Sequence, residues 1–202
     1  MEARVSESYA PVSRKGFGPL PVSVAVKDEK MSSMLNRIRE MIDIGKPFMP
    51  FAALLGLSVK WVGVGQADIE LEINEHHLNT MGTVHGGVLC SIADTAMGVA
   101  FATMLEENET LATQSLRIDY LKPVWKGKLL VVSKVVKKGK ITGFVECDIL
   151  DENKQLIARA GSTYMSLAGN QAKNRALLMS WQQPDGTMEP MSIAEKGGDV
   201  QL

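Results

Sequence analysis

The stretch from Gly87 to Leu105 limits the choice of fold more than any other. Within it Val88, Leu89, Ile92, Ala93, Ala96, Met97, Val99, Ala100, Phe101 and Met104 occupy nearly every side of a helical wheel. A helix that is apolar all round is buried all round. At 1.5 Å per residue this one runs to roughly 28 Å, so whatever covers it must be large. A single carboxylate, Asp94, interrupts the run. Burying an unpaired carboxylate is costly, and a helix that carries one usually does so at a functional site. The plainer readings are a cap from Ser91 or Thr95, or water at a subunit edge.

The flanking segments supply the cover. "QADIELEIN" alternates cleanly, with Ala67, Ile69 and Leu71 on one face and Asp68, Glu70 and Glu72 on the other, and "LSVKWVGVG" before it is strand-like. After the helix come "TLATQSLRIDYLKPV", "GKLLVVSKVVKK", "KITGFVECDILDE" and "KQLIARAGSTYMSLA", with turn signals at Lys138-Gly139 and Asp151-Glu152-Asn153. An antiparallel sheet of five to six strands wrapped around one long helix is the α+β hotdog fold. Ahead of it, Met31, Met34, Leu35, Ile38, Met41 and Ile42 recur at helical spacing from Asp28 onward, and "PFMPFAALLG" reads as a short helix stopped by Gly56. The chain therefore divides into a flexible N-terminal tail (1–27), a helical extension (28–55), the hotdog domain (56–168) and a largely irregular C-terminal tail (169–202). The last contains one helical turn at most, near Arg175 to Trp181.

With 202 residues, 45% of them apolar, the chain can bury one domain core. A net charge of −1 argues against coating nucleic acid or an anionic membrane. Cys90 and Cys147 make no spacing pattern, and the N-terminus lacks an apolar signal core while carrying Glu2 and Glu7. No window approaches a membrane span. The expectation is a soluble cytoplasmic protein with neither nucleic acid nor membrane as partner. His76, His77 and His85 with Cys90 do not have metal-ligand spacing, since adjacent histidines in an extended segment face opposite ways, so no metal is expected. Ser91, His85 and Asp94 contain the letters of a triad but lack its strand-turn-helix elbow.

The entry to the long helix is "HGG", His85 to Gly87. The first N–H groups of a helix have no intrahelical partner and sit at the positive end of its dipole, where an anion or developing oxyanion is stabilised. Gly86 and Gly87 would let a carbonyl approach that backbone closely; alternatively they only ease the turn from strand to helix. Gly87 and Asp94 lie seven residues apart, nearly on one side of the helix but roughly 10 Å apart along it. One reacting carbonyl cannot be within about 3 Å of both. If both act on one bond, the site is shared across a two-fold dimer with antiparallel central helices.

"NTMGTVHGGVLCSIAD", carrying Asn79, Gly82, His85, Gly86, Gly87, Ala93 and Asp94, resembles the signature of the hotdog-fold acyl-CoA thioesterases of the phenylacetate-pathway (PaaI) type. The resemblance runs from about Phe48 to Ala168; the extensions on either side lie outside it. It implies hydrolysis of acyl-CoA, with coenzyme A as part of the substrate and no separate cofactor. The expected assembly is a homodimer, which either stays a dimer or pairs further into a tetramer. The resemblance also implies Asp94 as nucleophile or general base, the Gly86 N–H polarising the thioester carbonyl, and Asn79 and His85 orienting the reacting groups. Thr113, or Gln114 or Ser115 beside it, would supply a hydroxyl or amide that positions water or the carboxylate. Seven lysines and no acid lie between Tyr120 and Val145. They form either a solvated sheet face or a phosphate site for coenzyme A from Lys137, Lys138 and Lys140, joined by Arg159. Two other readings compete: a hotdog enoyl-CoA hydratase or dehydratase pairing His85 with Asp94, and a non-catalytic acyl-CoA-binding regulator.

Overall fold

The structure, a computed structural model, describes residues 33–44, 49–106 and 108–172. The expected N-terminal tail (1–27), the expected C-terminal tail (169–202) beyond residue 172, the helical turn near Arg175, and the start of the first helix at Asp28 lie outside these residues. Helix α1 spans Ser33–Ile44 and α2 spans Pro50–Leu54. Strands β1 (Leu57–Gly63) and β2 (Gln66–Glu72) precede the long helix α3 (Gly86–Ala102). Strands β3 (Glu109–Tyr120), β4 (Lys128–Lys138), β5 (Thr142–Leu150) and β6 (Leu156–Ala168) follow it.

All six strands form one antiparallel sheet in the order β1-β2-β4-β5-β6-β3. Side-chain alternation decides which face meets α3. Ala67, Ile69 and Leu71 of β2, Leu129 and Val131 of β4, and Val145, Cys147 and Ile149 of β5 are buried, and with Ile92, Ala96 and Met97 of α3 they make the core. Ser133 brings a hydroxyl to this face within hydrogen-bond reach of the carbonyls of Ala67 and Ala96, so its one proton has an acceptor despite burial. The Phe101 ring lies where a Cβ on Gly143 would stand, and stacks on Tyr164 with centroids 5.4 Å apart. Helix α1 packs Met34, Leu35 and Ile38 into the same core beside β1.

Three sequence expectations change. Helix α3 is not buried all round: Gly87 is exposed, and Ser91, Asp94, Thr95 and Gly98 are half-buried along one strip. The sheet has one surface for the helix, and a single copy cannot close over every side of it. Asp68, expected on the wet face of β2, is buried, because a bulge in β1 sets Trp61 opposite it with Val132 on the other flank. His76 and His77 lie in a 3-10 turn instead of an extended segment, which leaves His76 exposed and His77 buried.

Candidate active site

The loop from Leu78 to Val84 delivers the chain to the head of α3, and Asn79 holds that loop together. Its side-chain Oδ1 accepts from the N–H groups of Met81 (2.9 Å) and Thr83 (3.2 Å), and its Nδ2 donates to the Thr83 hydroxyl at 2.9 Å. Gly82 adopts φ +74°, a left-handed turn position that suits glycine. Asn79 thus shapes the loop, and most of its hydrogen-bonding capacity is spent there. Val84 then bonds to the Val124 carbonyl, and the His85 N–H to that of His77, tying the entry to the β3–β4 connection.

His85 is the N-cap of α3. Its Nδ1 accepts the Gly87 N–H at 2.8 Å, so the ring N–H available for donation is that on Nε2. This corrects the expectation for Gly87. Its N–H is already taken by His85, and a Cβ there would come within 2.9 Å of the imidazole, so the second glycine serves the cap and not a substrate. The Gly86 N–H has no partner among the described residues. On the next peptide, the Tyr120 hydroxyl donates to the Gly86 carbonyl at 2.9 Å, and the phenol ring lies 3.2 Å from where a Gly86 Cβ would stand.

Two turns further, Asp94 is half-buried and paired, contrary to the expectation of an unpartnered buried charge. Neither Ser91 nor Thr95 caps it; Ser91 turns back to donate to the Gly87 carbonyl. The Thr113 hydroxyl on β3 donates to Asp94 Oδ1 at 3.0 Å, so among the neighbouring positions 113–115 it is Thr113 that meets the carboxylate. A β-bulge between Thr113 and Ser115 leaves Gln114 without a cross-strand partner and keeps Thr113 facing the helix. The Tyr164 hydroxyl on β6 lies 2.8 Å from both Oδ1 and the main-chain oxygen of Asp94. Burial first, and then the Asp94 carboxylate, hold this phenol well above the usual tyrosine range, so it stays protonated and donates. Tyr164 escaped the motif reading. The signal was available: alternation sets it on the core face with Ala160 and Ser162, and a buried tyrosine hydroxyl needs a partner.

The lysines do not form one patch. Acids of other strands answer several of them: Lys128 pairs with Glu70 and Lys138 with Glu109, while Lys122 bonds to Gln155. Lys137 and Lys140 are exposed at the β4–β5 hairpin. Arg159 does not join them. Its Nε and Nη2 donate to the Asp148 carboxylate at 2.7 and 3.0 Å, and it stands six residues along β6 from Met165, the partner of Thr142 in the hairpin, roughly 20 Å away at strand rise. Cys90 lies on α3 between Gly86 and Asp94, its thiol raised by burial and then by the Asp94 charge. Among the described residues no group of three or more His, Cys, Asp or Glu is placed to hold a metal, and no helix is long and apolar enough to cross a membrane.

The chemistry available is therefore a held carboxylate and an unpaired N–H at a helix head on the same open strip, about 12 Å apart by helix rise. The Thioesterase superfamily profile matches residues 81–158. A protein of Saccharolobus solfataricus named "Putative esterase SSO2140" is 33% identical over 120 residues, covering 58% of this chain and 85% of that one. Human "Acyl-coenzyme A thioesterase 13" is 26% identical over 136 residues, covering 66% of this chain and 96% of that one. The E. coli PaaI protein from the phenylacetic acid degradation operon superposes with a TM-score of 0.60 at 23% identity, covering 69% of this chain and 98% of that one, which marks the same fold.

Proposed function

This chain belongs to the thioesterase superfamily and is a thioester hydrolase, and from that premise we propose that it cleaves acyl-CoA to a free acid and coenzyme A. Water adds to the acyl carbonyl carbon, the C–S bond breaks, and coenzyme A leaves as a thiolate that takes up a proton. Asp94 acts as nucleophile or as general base on that water, the Gly86 N–H stabilises the oxyanion that develops, and His85 Nε2–H donates to the same region. The observation that carries this reading is the Asp94 carboxylate, held by Thr113 and Tyr164 yet half-open on the strip that begins at Gly86.

Because those two groups stand about 12 Å apart on one helix, one carbonyl reaches both only if they come from different copies. The open strip of α3 and the adjoining edge strand β3, whose Thr113, Gln114, Ser115 and Arg117 are exposed, favour a two-fold dimer across this face. A tetramer of such dimers and a cytoplasmic location belong to the same reading. Lys137, Lys138 and Lys140 serve the phosphates of coenzyme A: Glu109, which pairs with Lys138, stands four residues along β3 from Thr113, roughly 13 Å, within reach of an extended pantetheine arm. The reaction needs no cofactor beyond the coenzyme A that the substrate carries.

The test is release of coenzyme A from a panel of acyl-CoA thioesters. Asp94→Asn keeps the shape of the side chain and removes its charge; it should lower kcat on the order of a thousandfold, within the range of positioned acid-base groups. Turnover within a few-fold of wild type would remove Asp94 from the chemistry.

A further inference from the structure

On the thioesterase reading of Asp94, its two oxygens have different tasks. Both hydroxyl donors meet the same one: Thr113 Oγ1 lies 3.0 Å and Tyr164 Oη 2.8 Å from Oδ1. No donor among the described residues reaches Oδ2. We propose that Tyr164 is a positioning residue which, with Thr113, clamps Oδ1 so that Oδ2 is the atom that attacks the thioester or takes the proton from water.

The construction of the clamp fits that task. Tyr164 is fully buried and its ring is fixed by stacking on Phe101, so its hydroxyl approaches from the core side of α3. Thr113 approaches from the exposed edge strand. The Tyr164 proton also faces the Asp94 main-chain oxygen at 2.8 Å, so one hydroxyl registers both the backbone and the side chain of the same residue. With Oδ1 occupied, the carboxylate cannot spin about its last bond, and its bare oxygen keeps one direction. Such fixed geometry is what a reacting group needs.

Tyr164→Phe removes one oxygen and keeps the ring on Phe101. It should lower kcat by about ten- to a hundredfold, as expected for loss of a charge-assisted hydrogen bond, and leave KM within about twofold. A double-mutant cycle with Asp94→Asn separates positioning from mere structure. If Tyr164 acts through the carboxylate, Tyr164→Phe changes the residual rate of Asp94→Asn by less than about twofold. A kcat within about twofold of wild type overturns the proposal, and so does an equal loss in both backgrounds, which assigns the hydroxyl to the fold. Should Tyr164→Phe fail to fold, Thr113→Val removes the other donor from an exposed strand; kcat unchanged in that variant equally overturns the clamp, and a loss of kcat that is silent in Asp94→Asn supports it. Failure of the thioesterase reading looks different: wild type would release no coenzyme A, or Asp94→Asn would keep the full rate.

Discussion

His77 and His85 carry the same imidazole to opposite ends. His85 is exposed at the head of α3, whereas His77 is 3% exposed, accepts the Asn74 N–H at Nδ1 (3.1 Å) and lends its carbonyl to the His85 N–H. Burial, opposed by a bond to the Leu55 backbone and reinforced by His76, lowers the His77 pKa below 6.5. The folded form thus binds this proton less readily than the unfolded chain. Its contribution to stability is complete above about pH 6.5 and is lost as pH falls from there through the folded value. Thermal melts between pH 7.5 and pH 5 should therefore decline, and His77→Gln should flatten that slope while lowering Tm at pH 7.5. An unchanged slope would mean that another group controls acid stability.

At the scale of elements, α3 meets the sheet through close approaches that admit no added atom. A Cβ on Gly143 would lie 2.4 Å from the Phe101 ring and 2.9 Å from the Lys137 carbonyl. Gly143→Ala should cost about 1–3 kcal/mol of unfolding free energy, the usual range for overpacking, as read by urea titration. A neutral result would show that Phe101 can retreat from the sheet. The β4–β5 hairpin beside it carries the lysine proposal. Exchanging Lys137, Lys138 and Lys140 for Gln should raise KM for acyl-CoA roughly tenfold, since each exposed ion pair contributes below about 1 kcal/mol, with kcat almost unchanged. The rise should vanish for a pantetheine thioester that lacks the phosphates. Equal damage with both substrates would assign the hairpin to folding, where the Lys138–Glu109 pair already has a part.

The whole molecule is where the two halves of the proposed site must meet. On the proposed reading, each site combines Asp94 of one copy with the Gly86 N–H of the other. A heterodimer of Asp94→Asn with Gly86→Val therefore has one site with both lesions and one with neither. Purified, it should show about half the wild-type activity per dimer, by two-fold symmetry, while each parent homodimer stays nearly inactive. A folded heterodimer without activity would place both groups within one copy. Gly86→Val must first be shown to fold, because the Tyr120 ring stands 3.2 Å from the new Cβ.

Much of this could be read along the chain, because helical and strand periodicities are local. The existence of α3, the inward face of β2, the single interrupting carboxylate and the glycines at the helix head follow from which residue types recur at which spacing, although α3 ends at Ala102 and not at Leu105. The cross-strand neighbours do not follow, because they depend on a strand order in which β3, first after α3, lies beyond β6 at the far edge. That order brings Thr113 and Tyr164, far apart in sequence, to the same oxygen of Asp94. It also answers lysines in an acid-free run with Glu70 and Glu109 from other strands, and keeps Arg159 on Asp148. A charge appears alone in one dimension when its partner is supplied by the third, so spacing singled out Asp94 as the one carboxylate of an apolar helix, and only the tertiary structure decided which groups hold it.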